Sequence, residues 1–325
     1  MIQKKDLLVK KIVNSILLNS SSIEASGLYN GKSGVAIALF EASKYLQDDY
    51  LEDIAFSMIK ESIITENNDI SFENGLSGIG YALIHLIEGG FLEADYNELF
   101  ENQHKNILRL IELLGKNGID LSNYVKVVFY IKRYERFFDG GGYSLSAIEK
   151  LLKASENSVL NFLSVFNDVF DNSDKNQIIQ KVENFLFVVS YSQKYSYARA
   201  VAEAYLQLYE QGKIKSSLFL WMQLQEIAEK LHMRDVEKQS KRRVDLMSGM
   251  LNSHLLSFRD KVSILHNLNL RTTRKDTLFS HYEFCSSKFE YDVRSSVARG
   301  HSYIGYEGGA ARFLLHMVNP DIELL

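Results

Sequence analysis

One short pattern, repeated at a fixed step, constrains this chain more than any other feature. Asn30-Gly31-Lys32-Ser33-Gly34 returns as Asn74-Gly75-Leu76-Ser77-Gly78, each time followed by a run of small and apolar residues, Val35 to Leu39 and Ile79 to Leu83. A looser third copy, Gly305-Tyr306-Glu307-Gly308-Gly309 followed by Ala310 to Leu315, stands near the end of the sequence. A step of about 44 residues has room for two helices and two connections, the size of a helical-hairpin repeat, and 325 residues hold roughly seven such units. The pairs Gly31 and Gly34, Gly75 and Gly78, and Gly305 and Gly308 are then expected at helix N-termini. There glycine lets the chain turn in sharply and lets a neighbouring backbone come close. Contact with a ligand is the alternative to such a packing role. Gly-x-x-Gly here lacks the strand-before-helix setting of a phosphate loop.

Composition agrees with helices. A single proline, Pro320, leaves long segments free of helix breakers. With 46% hydrophobic residues the chain can bury a large core. Its 37 Lys and Arg against 41 Asp and Glu give a net charge of -4, which does not suit a nucleic-acid binder. The N-terminal segment reads as an amphipathic helix on Leu7, Leu8, Ile12, Val13, Ile16 and Leu17, because Lys10 and Lys11 break what a signal peptide would keep apolar. No run reaches the ~18 apolar residues needed to span a bilayer, so the expected location is cytoplasmic. No Pro-, Gly- or Ser-rich linker divides the chain, and residues 1–325 are expected to form one all-α domain. Between the second and third copies the signature weakens. Phe138-Asp139-Gly140-Gly141-Gly142 and Tyr195-Ser196-Tyr197-Ala198 read as degenerate unit starts.

These three copies resemble the lanthionine synthetase C-like family, which includes the cyclases of lantibiotic biosynthesis. The resemblance is carried by Gly27 to Leu39, Ser71 to Leu83, and Gly305 to Leu315 with the trailing Asn319-Pro320-Asp321 turn. It implies an α/α toroid of about seven hairpins whose inner helices begin at glycine-rich bulges. It also implies a chemistry: a substrate cysteine adds across a dehydroamino acid to close a thioether ring. In the family the thiol is activated by zinc held on two cysteines and one histidine. A free thiol is only a few per cent ionised at neutral pH, and coordination removes its proton outright. Implied partners are a precursor peptide and a peptide-modifying enzyme.

This chain departs from the family at the metal. It has one cysteine, Cys285, and no Cys-His pair, and its one tryptophan, Trp221, has no cysteine after it. No family ligand can be carried over to any position, which favours a cyclase homologue that binds a peptide or a partner without zinc. The competing reading is an active cyclase with a rebuilt site on His281, Cys285 and His301, His281 and Cys285 being four residues apart. A loop histidine and a buried thiol are the bland alternative. His301, beside the third glycine copy, is also the candidate for proton transfer. His85 and His316 follow apolar runs and read as core histidines. A third reading, a helical-barrel glycosidase, would use acids such as Asp139 and Glu307. Finally, acids crowd residues 41–101 while Lys and Arg crowd 234–275, either as solvated helix faces or as charged surfaces that steer a partner.

Overall fold

The computed structural model describes residues 2–64, 68–116, 121–138, 142–166, 172–249, 262, 305–306 and 309–319. Among them are twelve α-helices, two short 3-10 turns and no strand. The chain divides into two units, residues 1–104 with 252–325, and residues 105–251.

The first unit is organised by how completely its helices are buried. Helix α2 (Lys32–Leu46) is buried at every position from Ser33 to Ser43, and α4 (Leu76–Glu88) at every position from Leu76 to Leu86. A helix apolar all round must be surrounded, and α2 packs against α1 (Ile2–Ser20), α3 (Asp49–Ile64), α4 and the last helix, α12 (Ala310–Val318). Helices α1 and α3 bury a single face. On α3 the buried positions are Leu51, Ala55, Met58, Ile59 and Ser62, the spacing of one helical stripe. On α1 they are Val9, Ile12, Val13 and Ile16, whereas Leu7 is 56% exposed. The expected amphipathic helix therefore forms with its stripe anchored on Val9 in place of Leu7.

Helices α2 and α3 form a hairpin. Gln47 adopts a left-handed conformation with φ of 54°, Asp48 N–H returns to Ser43 O at 3.0 Å, and the Asp48 carboxylate accepts from Tyr50 N–H at 3.1 Å. Asp49 and Glu52 then complement the positive end of α3. Helix α5 (Tyr96–Lys116) follows, and the division between the two units falls within it.

The second unit contains the turn Leu121–Tyr124, α6 (Val127–Phe137), α7 (Gly142–Ser164), α8 (Asn172–Ser192), the turn Tyr195–Tyr197, α9 (Arg199–Glu210), α10 (Leu218–Lys230) and α11 (Arg234–Gly249). Helix α7 packs on α6, α8 and α9, and α10 and α11 pair as a hairpin through the left-handed residue His232. Trp221 is buried and meets Tyr209 edge to face at 4.9 Å, so the lone tryptophan is a core residue of this unit. Fully burying a large apolar side chain stabilises by ~1.5–3 kcal/mol, which gives such positions more weight than any surface pair.

Candidate functional site

In the first unit the repeated glycine loops come together. Gly27 N–H donates to Asn74 O at 2.9 Å, Leu28 N–H to Phe72 O at 3.2 Å, and both Tyr29 and Asn30 N–H to Glu73 O at 3.1 Å. On the other side of the same loop, Tyr306 N–H donates to Tyr29 O at 2.8 Å. The order in space is therefore third copy, first copy, second copy. The rings follow the same order: Tyr306 stacks on Tyr29 at 6.2 Å, Tyr29 meets Phe72 edge-on at 5.3 Å, and Phe72 meets Tyr81 at 5.3 Å.

The three helices that leave these loops start alike. Gly31, Gly75 and Gly309 are their N-caps, all with extended backbone and none with a side-chain cap. A helix N-terminus without a cap leaves donors to be satisfied elsewhere. Here the loop itself supplies the acceptors. Lys32 N–H donates to Ala25 O at 3.0 Å and Leu76 N–H to Asp69 O at 2.8 Å, each reaching back seven residues. The repeated serines do the same with their hydroxyls, Ser33 Oγ to Ser26 O at 2.5 Å and Ser77 Oγ to Ile70 O at 2.7 Å.

Close approach explains the glycines. A Cβ on Gly34 would fall 2.0 Å from Leu28 O and 2.6 Å from the Tyr306 Cβ, and one on Gly78 would fall 2.3 Å from both Leu28 N and Phe72 O. Each thus touches its own loop and the loop of the neighbouring copy. The third copy has a different register from the one its sequence suggests. Gly309 is the equivalent of Gly31 and Gly75, Gly305 corresponds to Gly27, and Arg312 stands where the others have Gly34 and Gly78. The Arg312 guanidinium lies over the Tyr306 ring at 4.5 Å. Gly308 lies outside the described residues.

The sequence that builds the first two of these loops is similar to a known family. The family model for lanthionine synthetase C-like proteins matches residues 2–130. Residues 2–130 of the chain are similar to that family. Among curated proteins none matches it. The family is a helical toroid, and the all-helical fold with its glycine-led helices agrees with it.

At the far ends of α2, α4 and α12 from the loops, Glu41, His85 and Asn319 meet. Glu41 and His85 are buried, and Asn319 Nδ2 donates to Glu41 Oε2 at 3.0 Å. His85 Nε2 stands 3.6 Å from Glu41 Oε1, beyond a good hydrogen bond. Burial raises the Glu41 pKa, but His85, Asn319 and Lys44 together outweigh it and hold the carboxyl below its ordinary value. The core placement expected for His85 and His316 is what the structure has. Sequence reasoning missed Glu41, which stood only as one member of an acidic block. Its signal was an acid inside an otherwise small and apolar run.

In the second unit Glu183 is the mirror case. Burial raises its pKa, only partly offset by the hydrogen bond it accepts from Ser217 Oγ, while Ser217 Oγ also caps α10 by accepting from Leu220 N–H at 3.0 Å. A cleft of about 570 Å³ lies among α9, α10 and α11, lined by Tyr209, Trp221, Lys215, Arg243 and Met247, with the Arg243 guanidinium 5.3 Å above the Tyr209 ring. Arg243 belongs to the basic block. Within it Lys238, Lys241 and Arg242 are exposed on α11.

The candidate residues His281, Cys285, His301, Asp139 and Glu307 lie outside the described residues. Among the described residues no group of three or more His, Cys, Asp or Glu is placed to hold a metal ion. The donor set decides the fit of the family's zinc: one cysteine in the whole chain cannot supply two thiolates. No helix among the described residues is long and apolar enough to cross a membrane.

Proposed function

We propose that this protein acts in the modification of a ribosomally made peptide of the lanthipeptide type, in the cytoplasm, by binding the precursor peptide or a peptide-modifying enzyme, without a zinc cofactor and without closing thioether rings itself. The observation that carries this reading is the pairing of a family match over residues 2–130 with a single cysteine in the chain. A catalytic zinc site keeps three protein ligands and one open position. Where the family uses two cysteines, this chain would need imidazole or carboxylate at one of them, held at coordination distance by a rigid helical scaffold. Without the metal a substrate thiol stays largely protonated, so its addition to a dehydroamino acid is slow. Peptide binding has no such requirement, since apolar walls and charged rims do not depend on a metal. In the second unit the cleft beside Tyr209 and Arg243, with exposed Lys238, Lys241 and Arg242 nearby, supports a role in binding.

The test is metal analysis of the full chain purified without chelator, alongside a ring-closure assay on a peptide carrying one cysteine and one dehydroalanine. Less than a tenth of a zinc per chain and no acceleration over the uncatalysed reaction are expected. One zinc per chain that is lost in Cys285→Ala or His281→Ala would overturn the proposal and establish the rebuilt cyclase site.

A further inference from the structure

Three segments far apart in the sequence converge on one buried carboxylate. Glu41 belongs to the first repeat, His85 to the second, and Asn319 follows the helix of the last, 278 residues from Glu41. Glu41 is 7% exposed and His85 8%, and His85 Nε2 makes no hydrogen bond among the described residues. The titratable groups acting on Glu41 are His85 from α4 and Lys44 from its own helix, with the Asn319 amide the polar contact from the α12 side. A buried charge is tolerated only with partners that offset its lost hydration, and removing one partner is strongly unfavourable.

Helix α12 is short, nine residues, and a helix of that length does not persist alone in water. Its apolar body, Phe313 to Leu315, is buried, and polar contacts fix both of its ends. At the start Tyr306 N–H bonds Tyr29 O, and at the finish Asn319 bonds Glu41.

We infer that Glu41 is a latch that holds the C-terminal repeat helix against the first repeat, and that losing its charge or its Asn319 partner lets α12 open locally while α2 and α4 stay folded. This inference concerns the fold of the first unit and stands apart from the proposed peptide-modifying role. Arg312 provides a reporter. It is 2% exposed on α12, closed to trypsin while the helix is seated.

The experiment measures hydrogen exchange and trypsin cleavage after Arg312 in the full chain for Glu41→Gln, Asn319→Ala and the double variant. Each single variant is expected to speed exchange of the Phe313 to Leu315 amides and cleavage at Arg312 by tenfold or more. Exchange in α4 and in α7 to α10 should stay within twofold of wild type. The double variant should match the more affected single one, because both changes act on the same contact. Should Glu41→Gln fail to fold, Asn319→Ala removes the bond from the other side and carries the test alone. Unchanged α12 protection, an equal rise in every helix, or full additivity in the double variant would overturn the latch.

Discussion

Asn30 Nδ2 donates to Asn74 Oδ1 at 3.0 Å, so the same residue of two consecutive repeats meets itself across the loop interface. The pair is exposed, and its net worth is modest. Its importance lies in register. The side-chain contact continues the ladder in which Tyr29 and Asn30 N–H share Glu73 O. A slip of one residue between the loops would misplace every one of these bonds.

Gly34 and Gly78 have no substitute of larger size. Gly34→Ala and Gly78→Ala should each cost at the upper end of the ~1–3 kcal/mol typical of overpacking, because the obstructing atoms are backbone as well as side chain. Urea denaturation measures it. A loss within a few tenths of a kcal/mol would show that the loops are not as close as described.

The repeated serines separate by what their acceptors retain. Ser26 O also receives Ser33 N–H at 3.4 Å, whereas among the described residues Ile70 O receives only the Ser77 hydroxyl. Ser77→Ala should therefore destabilise by about 1–3 kcal/mol and Ser33→Ala by less, since an unsatisfied buried carbonyl costs more than a weakened one. Equal losses would contradict this.

Two carboxylates, Glu41 buried and Glu183 partly buried, should leave opposite marks on the stability curve. Glu41, held below its ordinary value of 4.5, contributes stability that is present above that value and is lost as pH falls through its folded pKa. Glu183, raised above 4.5, contributes stability that is present below that value and is lost as pH rises through its folded pKa. Glu183→Gln should thus flatten the decline in Tm on the alkaline side of pH 4.5, and Glu41→Gln should flatten the loss on the acidic side. Thermal melts from pH 3 to pH 8 distinguish the two. Identical pH profiles for wild type and both variants would refute these assignments.

Trp221, buried at 1% exposure, lies in the second unit, so its fluorescence reports that unit while far-ultraviolet circular dichroism reports all helices. If residues 1–325 form one cooperative domain, the two denaturation curves coincide. Separate midpoints, or two stable proteolytic fragments, would show that the units unfold independently.

The helices, the glycine repeat and its 44-residue step are legible in the sequence because they are set by local spacing: apolar residues at helical intervals, one proline in 325, and Asn-Gly-x-Ser-Gly twice in register. The register of the third copy was not, since Gly308-Gly309 offers two caps and only packing on Tyr29 places Gly309 at the helix start. Glu41 was hidden for a related reason. In the sequence it is one acid among many, and it becomes distinctive only when His85 and Asn319, 44 and 278 residues away, arrive beside it. Local propensity and hydrophobic pattern act over a few turns of helix, so the chain alone determined which segments are buried helices. The partners of a buried charge are chosen by which helices pack together, and that is decided only when the first, second and last repeats close on one another in the tertiary structure.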